Sequence, residues 1–342
     1  MYRIILLLCA TCIVASCSSS KNKKNNKEAD PVKFANTITA NELKEMLYIY
    51  ASDDYEGRET GEPGQKKAVE FIKEQYVAND IPSPLEEGDY FQEIPASFFR
   101  GNTKASENVL AYIKGADNPD EVIIISSHLD HIGISRDGEI NNGADDDGSG
   151  TVAMIEIAEA FKAAADKGYS PKRSILFLHV TGEEIGLFGS RYYTDVDPVF
   201  PLENTVANLN IDMIGRIDPK HEEKPNYLYL IGSDKLSKEL HDVSEEVNKQ
   251  YINMKFDYTY NSDNDPNRFY YRSDHYNFAK NSVPVIFYFN GTHADYHRPT
   301  DTPDKIEYEL LETRARLIFH TAWELANREE RVKLDEKKAK VQ

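Results

Sequence analysis

The sequence predicts an α/β fold: a doubly wound α/β/α sandwich around a mixed, mostly parallel central sheet. Three observations carry that expectation. Apolar runs of strand length alternate with helix-periodic segments along the chain. Two of the runs, Val122-Ile123-Ile124-Ile125-Ser126-Ser127 and Ser174-Ile175-Leu176-Phe177-Leu178, are continuous rather than alternating, as suits strands buried on both faces. Acids and histidines fall at or just past the ends of such runs, where open α/β sheets gather their functional groups.

Taken in order, Pro31 to Asp80 reads as mainly helical. Ala68, Phe71, Ile72 and Tyr76 sit near helical spacing after a turn-rich stretch from Gly57 to Gly64. Glu107 to Ile113 and Val122 to Ser127 follow as strands. Met154, Ile157, Ala158 and Phe161 then form a helix face directly after Gly148-Ser149-Gly150. Ser174 to Leu178, Val206 to Ile211, Tyr227 to Ile231 and Val283 to Phe289 complete the strands. Leu311, Ala315, Ile318, Ala322 and Leu325 mark an amphipathic helix near the C-terminus. Lys220–Lys224 and Asn261–Asn267 read as exposed loops. No internal repeat is visible and no linker interrupts residues 31–327, so they are expected to form a single domain. The charged tail 328–342 is expected to fray.

The chain has 342 residues, 40% of them hydrophobic and 29% charged, enough for a sizeable core. Its formal net charge of −18 opposes binding to phosphate backbones, which argues against a nucleic-acid partner. The same charge is compatible with a cationic substrate such as a peptide with a free α-amino group. Arg3 precedes an apolar run from Ile4 to Ala15, far short of the roughly 20 residues of a membrane-spanning helix. Charge, short apolar run and small residues read as a secretory signal. Val14-Ala15-Ser16-Cys17 resembles the lipobox of bacterial lipoproteins. The resemblance implies a signal peptide over 1–16, lipid on Cys17, a Ser/Lys/Asn-rich tether over 17–30 and an exported chain anchored in the bacterial cell envelope. An ordinary signal with an incidental cysteine is the alternative. The three cysteines are Cys9, Cys12 and Cys17, so the domain itself has no thiol, and any metal there must be held by His, Asp and Glu.

Five segments place such residues at predicted strand ends: His128-Leu129-Asp130-His131, Asp145-Asp146-Asp147, Glu183-Glu184, Asp212 and Tyr296-His297 through Asp301. Each alone has a plain reading. A single His is more often structural, a Glu pair is usually a solvated face, and three aspartates can complement a helix N-terminus. Together they place carboxylates that would repel each other unless something positive sits among them. A divalent metal is the economical answer.

The motifs His-Leu-Asp at 128–130, Gly-Ala-Asp-Asp-Asp-Gly-Ser-Gly at 143–150, Glu-Glu at 183–184, Asp-Met-Ile-Gly at 212–215, Ser-Asp-His at 273–275 and the run 296–302 resemble, in order, the two-zinc aminopeptidases. That family is typified by secreted bacterial leucine aminopeptidases and has glutamate carboxypeptidase II and the glutaminyl cyclases as relatives. The resemblance implies two Zn²⁺ per chain. His128 and Asp212 would hold one, Glu184 and His297 the other, and Asp146 would bridge them. It implies Glu183 as general base, with Asp130 accepting a hydrogen bond from the His128 ring. Tyr270 would be an oxyanion donor in contact with substrate, or else a packed aromatic in a Tyr-rich stretch. His131, His275 and His293 read as supporting or structural, and His179 as a core histidine. The substrates implied are peptides with free N-termini. Alternatives are a glutaminyl cyclase, a non-catalytic peptide-binding lipoprotein, and a dipeptidase or carboxypeptidase. The last would use a cationic clamp drawn from Arg216, Arg268, Arg272 and Arg298.

Overall fold

The continuous apolar runs do become the middle of a sheet. The structure, a computed structural model, describes residues 29–86 and 88–336. The expected signal peptide, Cys17, most of the tether and residues 337–342 lie outside the described residues. From Pro31 onward the described residues form one compact unit.

The strands are β1 (Phe91–Ile94), β2 (Ser106–Ile113), β3 (Asn118–His128), β4 (Arg173–Val180), β5 (Thr205–Ile211), β6 (Tyr227–Ile231), β7 (Lys255–Asp257) and β8 (Val285–Phe289). They form one sheet in the order β1-β2-β4-β3-β5-β8-β6-β7. The central pairings β4–β3, β3–β5 and β5–β8 are parallel, as is β6–β7 at one edge. The pairings β1–β2, β2–β4 and β8–β6 are antiparallel. The chain passes from β3 to β4 on one side and returns to β5 on the other. The order therefore reverses about β3, and its C-terminal end lies at the switch point where such sheets bind ligands.

The helices are α1 (Pro31–Ala35), α2 (Ala40–Tyr50), α3 (Pro63–Ala78), α4 (Gly150–Asp166), α5 (Phe188–Asp195), α6 (Lys238–Val247), α7 (His275–Ala279) and α8 (Tyr308–Asn327). Local chemistry sets several starts: the Thr39 and Ser237 hydroxyls accept from the Glu42 and Leu240 N–H groups, and Pro63 opens α3. One layer packs α1, α2, α4, α6 and α8 together, with Trp323 of α8 stacked between Phe34 and Phe161. On the other face, Tyr193 of α5 and Phe278 of α7 cover Val122, Ile124, Leu176, Leu178 and Val180. Both faces of β3 and β4 are thereby buried, which is why their sequences do not alternate. Among the described residues, no helix is long and apolar enough to cross a membrane.

Two arginines fix the parts that matter for the site and for the tail. Arg314 of α8 is fully buried and donates to the carbonyls of Ile214, Arg216 and Tyr227, which holds down the connection that follows β5. Arg173, also buried, donates to the carbonyls of Leu325, Arg328 and Glu329 and to the Glu121 carboxylate. Residues 328–335 are therefore docked on the domain, where charge alone predicts a frayed tail. Val332 is buried, Arg331 donates to the Glu203 and Thr205 carbonyls, and the Asp335 N–H reaches the Leu236 carbonyl. Main-chain carbonyls attract arginine whatever the charges of the side chains along the segment, and composition does not show them.

Candidate metal centre

Four connections leaving the C-terminal side of the sheet converge on one point. His128 ends β3, Glu183 and Glu184 follow β4, Asp212 follows β5, and His297 lies in the connection after β8. Asp146 lies in the turn before α4. That turn explains why three consecutive aspartates behave differently. Asp145 accepts from the Gly215 N–H at 2.7 Å, the Ser149 hydroxyl at 3.0 Å and the Asn290 amide at 3.1 Å, with His293 Nε2 at 3.1 Å. Asp147 accepts from the N–H groups of His128, Gly150 and Met213 at 3.0–3.1 Å. Both are structural ties. Asp146 projects between them, and its own N–H is held by Asp301 at 3.2 Å. Gly143 at the head of the turn has φ +54°, and a Cβ there would meet the His131 ring at 2.6 Å, so glycine is required.

Around Asp146 stand two groups of donor atoms. His128 Nε2 lies 3.2 Å from Asp146 Oδ1 and 3.6 Å from Asp212 Oδ1. His297 Nε2 lies 3.0 Å from Asp146 Oδ2 and 3.2 Å from Glu184 Oε2. Each group includes a different oxygen of the same carboxylate. The His128 Nδ1–H donates to the Asp130 main-chain carbonyl at 3.0 Å, which leaves the Nε2 lone pair facing Asp146 and Asp212. His128 Nε2 and Asp146 Oδ2 are buried with no hydrogen-bond partner. Orphaned buried acceptors of this kind, among carboxylates, are the signature of a cation site. The donor separations of 3.0–3.6 Å bracket the edge of about 3.3 Å expected for a tetrahedron of nitrogen and oxygen ligands with bonds of about 2.0–2.1 Å. The residues present therefore fit zinc, in two neighbouring positions sharing Asp146.

The electrostatics agree. Burial opposes the charge on His297, yet the Asp146 and Glu184 carboxylates beside its Nε2 push its pKa up to about 10. Burial likewise works against ionised Asp146, yet His128 and His297, with the charge of His131, hold it well below the usual carboxylate range. Burial raises Glu183 well above that range, with repulsion from Glu184, Asp212 and Asp274 adding and His128 opposing.

The structure thus brings His128, Asp146, Glu184, Asp212 and His297 together, with Glu183 in the same cleft. Two expectations change. The bond from the His128 ring goes to the main chain of Asp130. The Asp130 carboxylate, 3.8 Å from Nδ1, instead accepts from the Thr60 hydroxyl at 2.7 Å and from the Glu183 N–H at 3.2 Å, so it orients the Glu183 backbone. Tyr270 does not line the cleft. Phe269, Tyr270 and Tyr271 form a single tight turn, whose residues point in different directions. Phe269 enters the cleft, while Tyr270 packs outward on Gly232 and under Lys235. Tyr296, stacked on His297 with ring centres 4.0 Å apart, is the tyrosine that lines it.

His131 matters more than its sequence suggests: its Nδ1 sits 2.8 Å from Glu184 Oε1 and 3.8 Å from Asp146 Oδ2, close enough to steer both. The His-x-x-His spacing at 128 and 131 was the available signal. The cleft has an apolar wall of Met213, Phe269, Phe287 and Phe289 that no motif announces.

Comparison with known proteins fits this geometry. Over 202 residues the chain is 31% identical to a probable leucine aminopeptidase 2 of Aspergillus oryzae, an alignment covering 55% of this chain and 34% of that protein. The chain thus spans about a third of the length of that relative. The solved structure of BSAP, a zinc aminopeptidase from Bacillus subtilis, matches with a TM-score of 0.66 at 16% identity, over 86% of this chain and 96% of the other. An Acidobacteriales bacterium glutaminyl cyclase matches with a TM-score of 0.61 at 20% identity, over 83% and 93%. At such identities these two matches speak for the fold alone. A sequence profile of the M28 peptidases covers residues 108–322, from β2 into α8 and across all four converging connections. The chain belongs to peptidase family M28.

Proposed function

We propose that the chain is a zinc-dependent aminopeptidase that hydrolyses the first peptide bond of peptides with a free N-terminus, with Glu183 as general base. The observation that carries the reading is the pair of donor groups sharing Asp146, with the buried Glu183 carboxyl opening into the same cleft. His128 and Asp212 would hold one zinc, Glu184 and His297 the other, with Asp146 between. Zinc so held supplies Lewis acidity, which acidifies water and polarises a carbonyl.

The rest falls to the chain's own residues. Glu183, lining the same cleft as Asp146, Asp212 and His297, is placed to take a proton from water and return it to the leaving amine. Asp130 and Thr60 fix the backbone from which Glu183 projects. Burial keeps the Tyr296 phenol protonated, so it offers a donor to the oxyanion that develops on the substrate, the role expected of Tyr270. The wall of Met213, Phe269, Phe287 and Phe289 excludes water and suits an apolar N-terminal side chain.

The test is a peptide library, half with free and half with acetylated N-termini, incubated with the zinc-loaded protein and read by mass spectrometry. Loss of single residues from free N-termini only, abolished by a chelator and restored by zinc, is the expected result. Ammonia loss from N-terminal glutamine without cleavage would assign a cyclase instead. Untouched peptides at full zinc loading would leave a binding protein.

A further inference from the structure

One charged side chain in the cleft has no part in the chemistry above. Arg272 lines it together with Asp146, Glu183, Asp212 and His297, and among the described residues is the only lysine or arginine that does. Its guanidinium carbon lies 4.8 Å from the Phe269 ring centre, and its Nη2 comes to 3.5 Å from the Tyr296 hydroxyl. Its side chain touches these two residues, and no carboxylate of the described residues lies within ion-pair distance of it. The surroundings make this notable. The chain has 58 acidic residues against 40 lysines and arginines, so a basic side chain has many chances to be neutralised. Arg216, beside the same site, is paired with Asp295 at 2.9 Å and lies 3.8 Å from Asp301, which leaves it unfit as a clamp.

A guanidinium laid against an aromatic ring keeps its N–H edge available in a fixed plane. That edge matches a carboxylate bidentately, and little conformational freedom is lost on binding because the ring already holds the plane. The surrounding charge adds a reason for such a device. An anionic substrate approaching a protein of net charge −18 is repelled overall, so a local cation must supply its recognition.

We propose that Arg272 is a specificity-determining residue that binds a carboxylate carried by the substrate close to the scissile bond, so that the preferred substrates are short peptides bearing such a group. The inference rests on the aminopeptidase reading and deepens it. Two sources supply the same chemistry: the side chain of an N-terminal Asp or Glu, or the C-terminal carboxylate of a dipeptide.

The experiment compares kcat/KM of the zinc-loaded wild-type protein, Arg272→Gln and Arg272→Lys on two peptide pairs. One pair is Leu-Leu against Leu-Leu-amide; the other is Glu-Leu-amide against Gln-Leu-amide. The expected result is that wild type prefers the carboxylate-bearing member of one pair by tenfold or more. In Arg272→Gln that ratio falls to near one, and Arg272→Lys keeps part of it. The pair that responds identifies the source of the carboxylate. Each ratio is taken within a single preparation, so partial misfolding cancels. Ratios near one for both pairs in wild type would overturn the proposal, and so would a preference that survives unchanged in Arg272→Gln. If wild type cleaves none of the four peptides, the aminopeptidase reading itself falls, an outcome distinct from cleavage without preference.

Discussion

Asp145, Asp146 and Asp147 are identical in kind and adjacent in sequence, yet only the middle one leaves an oxygen free of hydrogen bonds inside the site. The motif made the acids legible as a set, and its family resemblance picked out Asp146. What separates the three is which N–H groups of β3, α4 and the connections after β5 and β8 lie within reach, which sequence does not show. Tyr270 is the opposite case. Three neighbouring aromatics in one tight turn are indistinguishable by type, and only the backbone decides that Phe269 faces the cleft. His297, with φ 56°, likewise owes its pose to an irregular connection that no periodicity announces. Glu183 is the residue on which the chemistry turns. Glu183→Ala is expected to keep its zinc, since no ligand is removed, and to lose about 10²- to 10⁴-fold in kcat. Metal analysis beside steady-state kinetics checks both halves, and near wild-type kcat would show that another group is the base.

The long elements were readable because burial writes itself into their sequences: β2 to β5, α3, α4 and α8 lie where apolar runs and helical spacing put them. The elements that were not readable are short. β1 and β7 are edge strands of four and three residues, and α7 has five, too few for any period to register. The docked tail belongs to the same class, since its hold comes from Arg173 acting on main-chain carbonyls. Truncation after Asn327 removes two of those acceptors and exposes the Val332 site. It is expected to cost about 2 kcal/mol, in the range for buried donors left without partners, and to lower the melting temperature by a few degrees. Calorimetry of the truncated and full chains tests this; equal melting would mean the tail contributes nothing.

At the scale of the molecule, an acid far from the metal centre sets a pH dependence. Glu156 of α4 is buried, and burial, reinforced by Glu159 and Glu42 and opposed by the Thr39 N–H, pushes its pKa up to about 9 from the ordinary glutamate value of 4.5. Between those two values the folded protein holds a proton that the unfolded chain releases. Stability contributed by this group is therefore full in acid and falls as pH rises towards 9. Glu156→Gln removes the dependence. It is expected to melt like wild type near pH 5 and above it at pH 8, the gap widening by at most about 1.4 kcal/mol per pH unit. Parallel melting curves at both pH values would show that Glu156 is not the titrating group.

The convergence of four connections on one point also has a consequence in time. The ligand positions run from His128 to His297, and Asp146 cannot be shared until β3, β5 and β8 lie side by side. A site so dispersed along the chain is absent from any species in which the sheet is incomplete, including a folding transition state that precedes its closure. Zinc would then act as a brake on one direction only: it would lengthen the lifetime of the native state against unfolding while leaving the rate of refolding untouched. That lifetime decides how long one folded molecule lasts.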